Sequence, residues 1–295
     1  MKTAARFALL LVLGSSACDG GDDDGPAAPD AGTLPDAAGR ADAGVGWTRI
    51  ITGDWTLGAG GETTSDLHFT TLDRDFYISA IRPINPIGTH HTVLALGNGV
   101  NGNIVYASGV GTNELTFPPG VALKLPAGQS LILQLHLFNT SDAAIAGTSG
   151  VEVLEMDPAD VEHEADLFLP GPVDFNIPPM QEYTHGGTCT STIDQTVFAI
   201  FPHMHQLGTH LKTTLTVGGV ERVLHDAPYA FDHQAFIPFE PITLTPGDTV
   251  RTECTWNNPT SGAVGWGESS TTEMCFSILY RYTEAALPGI EICNE

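Results

Sequence analysis

His203-Met204-His205 directly follows the apolar run Val197–Phe201. In a strand, residues i and i+2 project from the same face, so the two imidazoles stand about 7 Å apart along the strand and can converge on one metal ion. The blander reading is a pair of surface histidines at a strand end. His90-His91 is harder to use, because neighbours in a regular strand face opposite ways. Both can reach one metal only at a strand end or a bulge, and Pro86-Ile87-Gly88 just before them supplies such an irregular approach. His136 lies in Leu131-Ile132-Leu133-Gln134-Leu135-His136-Leu137-Phe138. Alternation sets Ile132, Gln134 and His136 on one face, with Leu131, Leu133, Leu135 and Leu137 on the other. His136 is then either a polar residue on the wetter face or a ligand presented by a rigid strand. Met274 stands before Cys275 at the start of another β-rich run. A lone Met is more often core filler, but its thioether is soft and, beside two imidazoles, suits Cu(I). The order of divalent affinities also favours copper at imidazole sites. His68, His163, His185, His210, His225 and His233 have no partner at a recognisable spacing and read as structural or surface residues.

The elements that must carry these side chains are strands. Helix signals are nearly absent, while apolar/polar alternation recurs over Phe76–Ile81, Thr92–Leu96, Ser130–Phe138, Thr196–Phe201, Leu211–Val217, Thr249–Trp256 and Met274–Tyr282. Turn signals cut these runs apart: Pro118-Pro119-Gly120, Pro126-Ala127-Gly128, Gly218-Gly219 and Pro246-Gly247-Asp248. Short strands at this spacing predict an all-β chain of antiparallel sandwiches, and the length suits two better than one. Prolines cluster over Asp157–Pro179. The expected division is an N-terminal sandwich over 47–165, with the three-histidine set, and a C-terminal sandwich over 166–295, with His203, His205 and Met274.

The N-terminus reads as an export signal. Lys2 and Arg6 precede an apolar run from Phe7 to Leu13 and the small residues Gly14, Ser15, Ser16 and Ala17. That run is far too short to span a bilayer as a helix. Cys18 after small residues suggests a lipoprotein signal over 1–18 with Cys18 lipidated, although Ser15 stands where a Leu is usual. The alternative is plain secretion. Residues 19–46 are nearly all Asp, Ala, Gly and Pro and bury too little to offset chain entropy. They are expected to be a disordered acidic tether. The formal net charge of −24 makes nucleic acid a poor partner. Contact with a membrane is expected only through the lipid anchor, and the chain is expected to be a monomer. Cys189, Cys254, Cys275 and Cys293 are an even set in an exported chain and favour two disulfides. No CxxC pair suggests a zinc ribbon.

Taken in order, these segments resemble the copper type II, ascorbate-dependent monooxygenase family from about Trp47 to Cys293. Gly88-Thr89-His90-His91 resembles its paired-histidine motif. Pro119-Gly120-Val121, Leu125-Pro126-Ala127-Gly128 and Leu133-Gln134-Leu135-His136 resemble the segment that supplies the third histidine. His203-Met204-His205-Gln206-Leu207-Gly208 resembles the second site, Pro246-Gly247-Asp248 through Cys254 and Asn257 the strand that follows, and Glu273-Met274-Cys275 the methionine segment. The resemblance implies two β-sandwiches of jelly-roll type, each holding one copper ion. A copper at His90, His91 and His136 would store and pass electrons, with Gln134 as support. A copper at His203, His205 and Met274 would activate dioxygen against a substrate C–H bond. Ascorbate, or another reductant, would supply the electrons. Family pairing implies disulfides Cys254–Cys275 and Cys189–Cys293.

Departures from the family bear on the substrate. The peptide-amidating members grip a substrate carboxylate at positions that correspond here to Phe201, Phe276 and Ile278. An anionic terminus buried there would be unpaired, which is costly. The expectation is therefore a hydroxylase of a small apolar or aromatic substrate, not a peptide-amidating enzyme. A copper-binding or copper-storage surface lipoprotein without turnover is the alternative, and a metal-free adhesion or glycan-binding sandwich a third reading.

Overall fold

The computed structural model describes residues 46–98, 101–267, 269, 271–284 and 291–293. The export signal over 1–18, the lipidation site Cys18 and all of the tether over 19–46 except Gly46 lie outside the described residues. Among those described there is no α-helix, only one 3-10 turn at Pro158–Asp160, and the all-β expectation is met. In chain order the first strands are β1 (Trp47–Leu57), β2 (Glu62–Thr71), β3 (Phe76–Ile84), β4 (Thr89–Asn98), β5 (Asn101–Gly109), β6 (Leu115–Thr116), β7 (Val121–Leu125), β8 (Ser130–Phe138) and β9 (Ile145–Glu155). They are followed by β10 (His163–Pro170), β11 (Asn176–Ile177), β12 (Gln181–Thr190), β13 (Gln195–Met204), β14 (Gly208–Val217) and β15 (Val220–Pro228). The last are β16 (Ile237–Leu244), β17 (Thr249–Asn258), β18 (Val264–Gly265), β19 (Cys275–Tyr282) and β20 (Glu291–Cys293).

One large sheet runs through both halves of the chain in the order β1-β9-β3-β7-β10-β19-β13-β16. Two four-stranded sheets accompany it: β2-β8-β4-β5 from the N-terminal half and β12-β17-β14-β15 from the C-terminal half. The alternation that marks β8 in sequence is realised in space. Leu131, Leu133, Leu135 and Leu137 are buried in the core, while Gln134 and His136 remain half-buried on the opposite face.

The two halves share a seam. β10 pairs with β7 of the first half at His163–Ala165, then with β19 and β20 of the second. The expected division at 165/166 therefore falls inside one strand. The core crosses the same seam, where Phe117 packs on Phe198 and Tyr280 at centroid distances of 5.4 and 5.5 Å. Buried Arg281, on β19, donates to Asp166 at 2.8 Å and to Gln195 at 2.7 Å, which ties β10 and β13 to the strand between them. Both disulfides, Cys189–Cys293 and Cys254–Cys275, lie in the second half. Sites carried by either half are thus held on one continuous scaffold.

Candidate metal centre

The paired histidines sit at a bulge. Along β4 and β8, Thr89 is opposite Leu137 and His91 is opposite His136, with a register shift between Thr89 and His91. His90 is the extra residue, and the bulge turns its ring to the side that His91 and His136 occupy. Gly88 just before it has φ +101°, a conformation that L side chains rarely adopt. The result is a cluster. His90 Nδ1 lies 3.0 Å from His91 Nδ1, which lies 3.4 Å from His136 Nδ1. One nitrogen of each ring falls within 4.8 Å of the others. Nitrogens sharing a metal at bonds of about 2 Å stand roughly 3 Å apart, so the donor set fits a single ion. Glu62 Oε1, on β2, is 2.7 Å from His136 Nε2. That contact places the ring hydrogen on Nε2 and leaves Nδ1 with its lone pair toward the cluster.

The second set is built on the edge of the β13–β19 pair. His203 is opposite Phe276, Phe201 is opposite Ile278, and Met204 is opposite Cys275. Directly opposed residues share a face and alternate along each strand. Phe201, His203, Phe276 and Ile278 therefore project together. His205 and Met274 lie one residue beyond the Met204–Cys275 pair, the last of this ladder. The His203 and His205 rings are 5.3 Å apart and nearly perpendicular. His205 Nδ1 lies 2.9 Å from the Thr272 carbonyl and His203 Nδ1 lies 3.0 Å from Gln234 Oε1. Both acceptors are oxygens, so each ring carries its hydrogen on Nδ1 and keeps Nε2 free to ligate. Met274 is half-buried, and the Cys254–Cys275 disulfide fastens the residue after it to β17.

A buried acid organises this end. Glu273 is fully buried and accepts from the His205 N–H at 3.0 Å, the Leu207 N–H at 2.6 Å and Trp256 Nε1 at 3.0 Å. Burial pushes its pKa up, against the pull of these donors. Imidazole behaviour is more one-sided. Burial, then His90, pushes His91 down to about 2. Burial, then His205, pushes His203 down to about 4. Burial lowers His90 and His205 as well. Neutral rings are the form that binds metal.

The segment between β15 and β16 joins the two sets, and nothing in the sequence singled it out. Phe231 is wedged among the rings, with centroids 4.9 Å from His90, 4.9 Å from His91 and 6.3 Å from His205. Gln234 lies 3.1 Å from His91 Nε2 through Nε2 and 3.0 Å from His203 through Oε1. The segment is clasped to the loop after β5. Thr112 Oγ1 donates to the Gln234 carbonyl, and Asn113 exchanges two hydrogen bonds with the Phe236 backbone.

Gln134 shares the His136 face, and its amide donates to the Thr64 carbonyl at 3.0 Å. Phe201 and Phe276 are 2% and 3% exposed. Phe201 packs against Phe236 at a centroid distance of 4.8 Å, so the sheet face beside His203 is filled with aromatic side chains. His185 stands apart, stacked on Tyr183 at 6.1 Å.

Residues 164–295 match the family described as copper type II ascorbate-dependent monooxygenase, C-terminal domain. The chain is 29% identical over 210 residues to DBH-like monooxygenase protein 1 of Mus musculus, covering 62% of this chain and 34% of that protein. It is 28% identical over 202 residues to the protein of the same name in Gallus gallus, with 61% and 33% covered. The Homo sapiens protein of that name is 29% identical over 203 residues, with 61% and 33% covered. The chain thus spans about a third of the length of the curated relatives it matches.

Proposed function

We propose that this chain, whose residues 164–295 match the C-terminal domain of the copper type II ascorbate-dependent monooxygenases, is a copper monooxygenase that hydroxylates a C–H bond of a small apolar or aromatic substrate, with O2 and with ascorbate or another reductant. His90, His91 and His136 would hold one copper, and His203, His205 and Met274 the other. When bound, copper supplies one-electron redox chemistry and activation of dioxygen.

The observation that carries this reading is the pairing of two unequal donor sets across one clasped segment. One set is three convergent imidazoles. The other is two imidazoles with free Nε2 atoms, and Met274, one residue beyond the end of the same strand pair, would add a thioether to make a softer set that favours the reduced ion. The chain's own residues do the positioning. Glu62, Thr272 and Gln234 hold hydrogens on the ring nitrogens turned away from His136, His205 and His203 ligation. Glu273 fixes the turn that carries His205. Phe231 beside His205 and the buried Phe201 and Phe276 beside His203 make these surroundings apolar, which suits an apolar substrate, and none of the three is a cation that could pair a carboxylate. Turnover of glycine-extended peptides is therefore not expected. Two disulfides fit an oxidising, exported setting.

The test is ascorbate-driven O2 consumption by the copper-loaded chain across a panel of aromatic and aliphatic compounds, with product analysis under 18O2. Incorporation of one labelled oxygen into an apolar substrate supports the proposal. Copper binding without any ascorbate-coupled product across the panel favours a storage role.

A further inference from the structure

Gln234 is 2% exposed, and its amide has three partners. Nε2 is 2.9 Å from the Phe231 carbonyl and 3.1 Å from His91 Nε2, while Oε1 is 3.0 Å from His203 Nδ1. A carbonyl can only accept, so Phe231 fixes which end of the amide is the NH2 group. The remaining contacts then have one assignment. Oε1 accepts from His203 Nδ1–H, which leaves His203 Nε2 free to ligate. The second N–H of the amide points at His91 Nε2, which must therefore accept and carry no hydrogen. The hydrogen of the neutral His91 ring is then on Nδ1.

That is the nitrogen which meets His90 and His136. With its hydrogen in place it can donate to a neighbouring ring but cannot join the other two in binding an ion. For His91 to ligate through Nδ1, its hydrogen must move to Nε2, where it would face an N–H. Turning the amide would set Oε1 against the Phe231 carbonyl and an N–H against His203 Nδ1–H. One amide cannot serve both rings in their ligating forms.

We infer that Gln234 makes the two histidine sets compete, so that metal held by His90, His91 and His136 weakens metal binding at His203, His205 and Met274, and the reverse. The inference rests on the reading that both sets bind copper. Coupling between sites is reciprocal and of the order of roughly 5- to 150-fold, as expected from one buried hydrogen bond left unmade. Gln234 acts here as a positioning residue, through the rings it orients.

The experiment is Cu(I) titration against a chromophoric chelator. The variants are His90→Ala/His136→Ala, which keeps His91 against Gln234, and His205→Ala/Met274→Ala, which keeps His203 against it. The product of the two binding constants of the full chain should fall about 5- to 150-fold below the product of the two single-set constants. In a Gln234→Glu background the deficit should vanish, because a carboxylate accepts from both rings. Gln234→Ala, which has no amide to serve either ring, should also remove it. Equal products in the wild-type background, or a deficit unchanged in both Gln234 variants, would overturn the inference. If both single-set variants keep the copper stoichiometry of the full chain, the two-site reading itself fails.

Discussion

Glu62 Oε1 lies 2.7 Å from His136 Nε2, and this one contact decides which nitrogen of the ring faces His90 and His91. Carboxylate–histidine pairs of this kind orient metal ligands and raise their basicity, and losing one typically costs 10- to 100-fold in affinity. Glu62 is about half exposed, which favours the lower end. Glu62→Gln should weaken copper at the three-histidine set about tenfold and leave the His203 set unchanged. Chelator competition measures both.

Gly88 makes the bulge possible. Its φ is +101°, and a Cβ placed there would lie 2.6 Å from Trp55 Cη2 and 2.7 Å from Ile145 Cδ1. Gly88→Ala is expected to cost about 1–3 kcal/mol through backbone strain and crowding. It should also pull His90 away from His91 and His136. Denaturant unfolding reads the first effect and loss of one copper site the second.

Glu273 has two oxygens and accepts from two backbone N–H groups and one indole. Glu273→Gln puts an NH2 group against at least one of those donors. A loss of about 1–3 kcal/mol of stability follows for each donor left unpaired. Copper at His203 and His205 should weaken, while the three-histidine set holds its affinity. Equal losses at both sets would remove the local role given to this acid.

How much of this was legible in the sequence depended on range. The leucine alternation of β8, with His136 on the opposite face, follows from period-2 geometry and reappears in the structure. So does the need for a strand end or a bulge at His90-His91, since adjacent residues cannot otherwise share a face, and the structure has the bulge. The seam between the halves was not legible, because the pairing of β7 with β10 is set by topology and not by local pattern. Gln234 was invisible for the same reason. It stands 143 residues from His91 and 31 from His203, and no spacing rule links a glutamine to either. Glu273 was read as part of the methionine motif, but its role comes from being buried among N–H donors.

Chelated protein should respond to acid in a defined direction. The folded-state pKa values of His91 and His203 are depressed to about 2 and about 4 by burial and by neighbouring imidazoles. The unfolded chain therefore takes up protons first, near its ordinary value of 6.5. Stability from these rings is present above that value and is lost as pH falls toward the folded-state values. Each ring contributes a slope of up to about 1.4 kcal/mol per pH unit in that window. The urea midpoint should be flat above neutrality and fall below it, and His203→Gln should reduce the slope.

Copper content tests the central claim most directly. Elemental analysis of the copper-saturated, desalted chain should find two copper ions in the wild type. His90→Ala/His136→Ala should retain one, and His205→Ala/Met274→Ala should retain one. Two copper ions in all three proteins, or none in the wild type, would contradict the assignment of the two histidine sets as the metal sites.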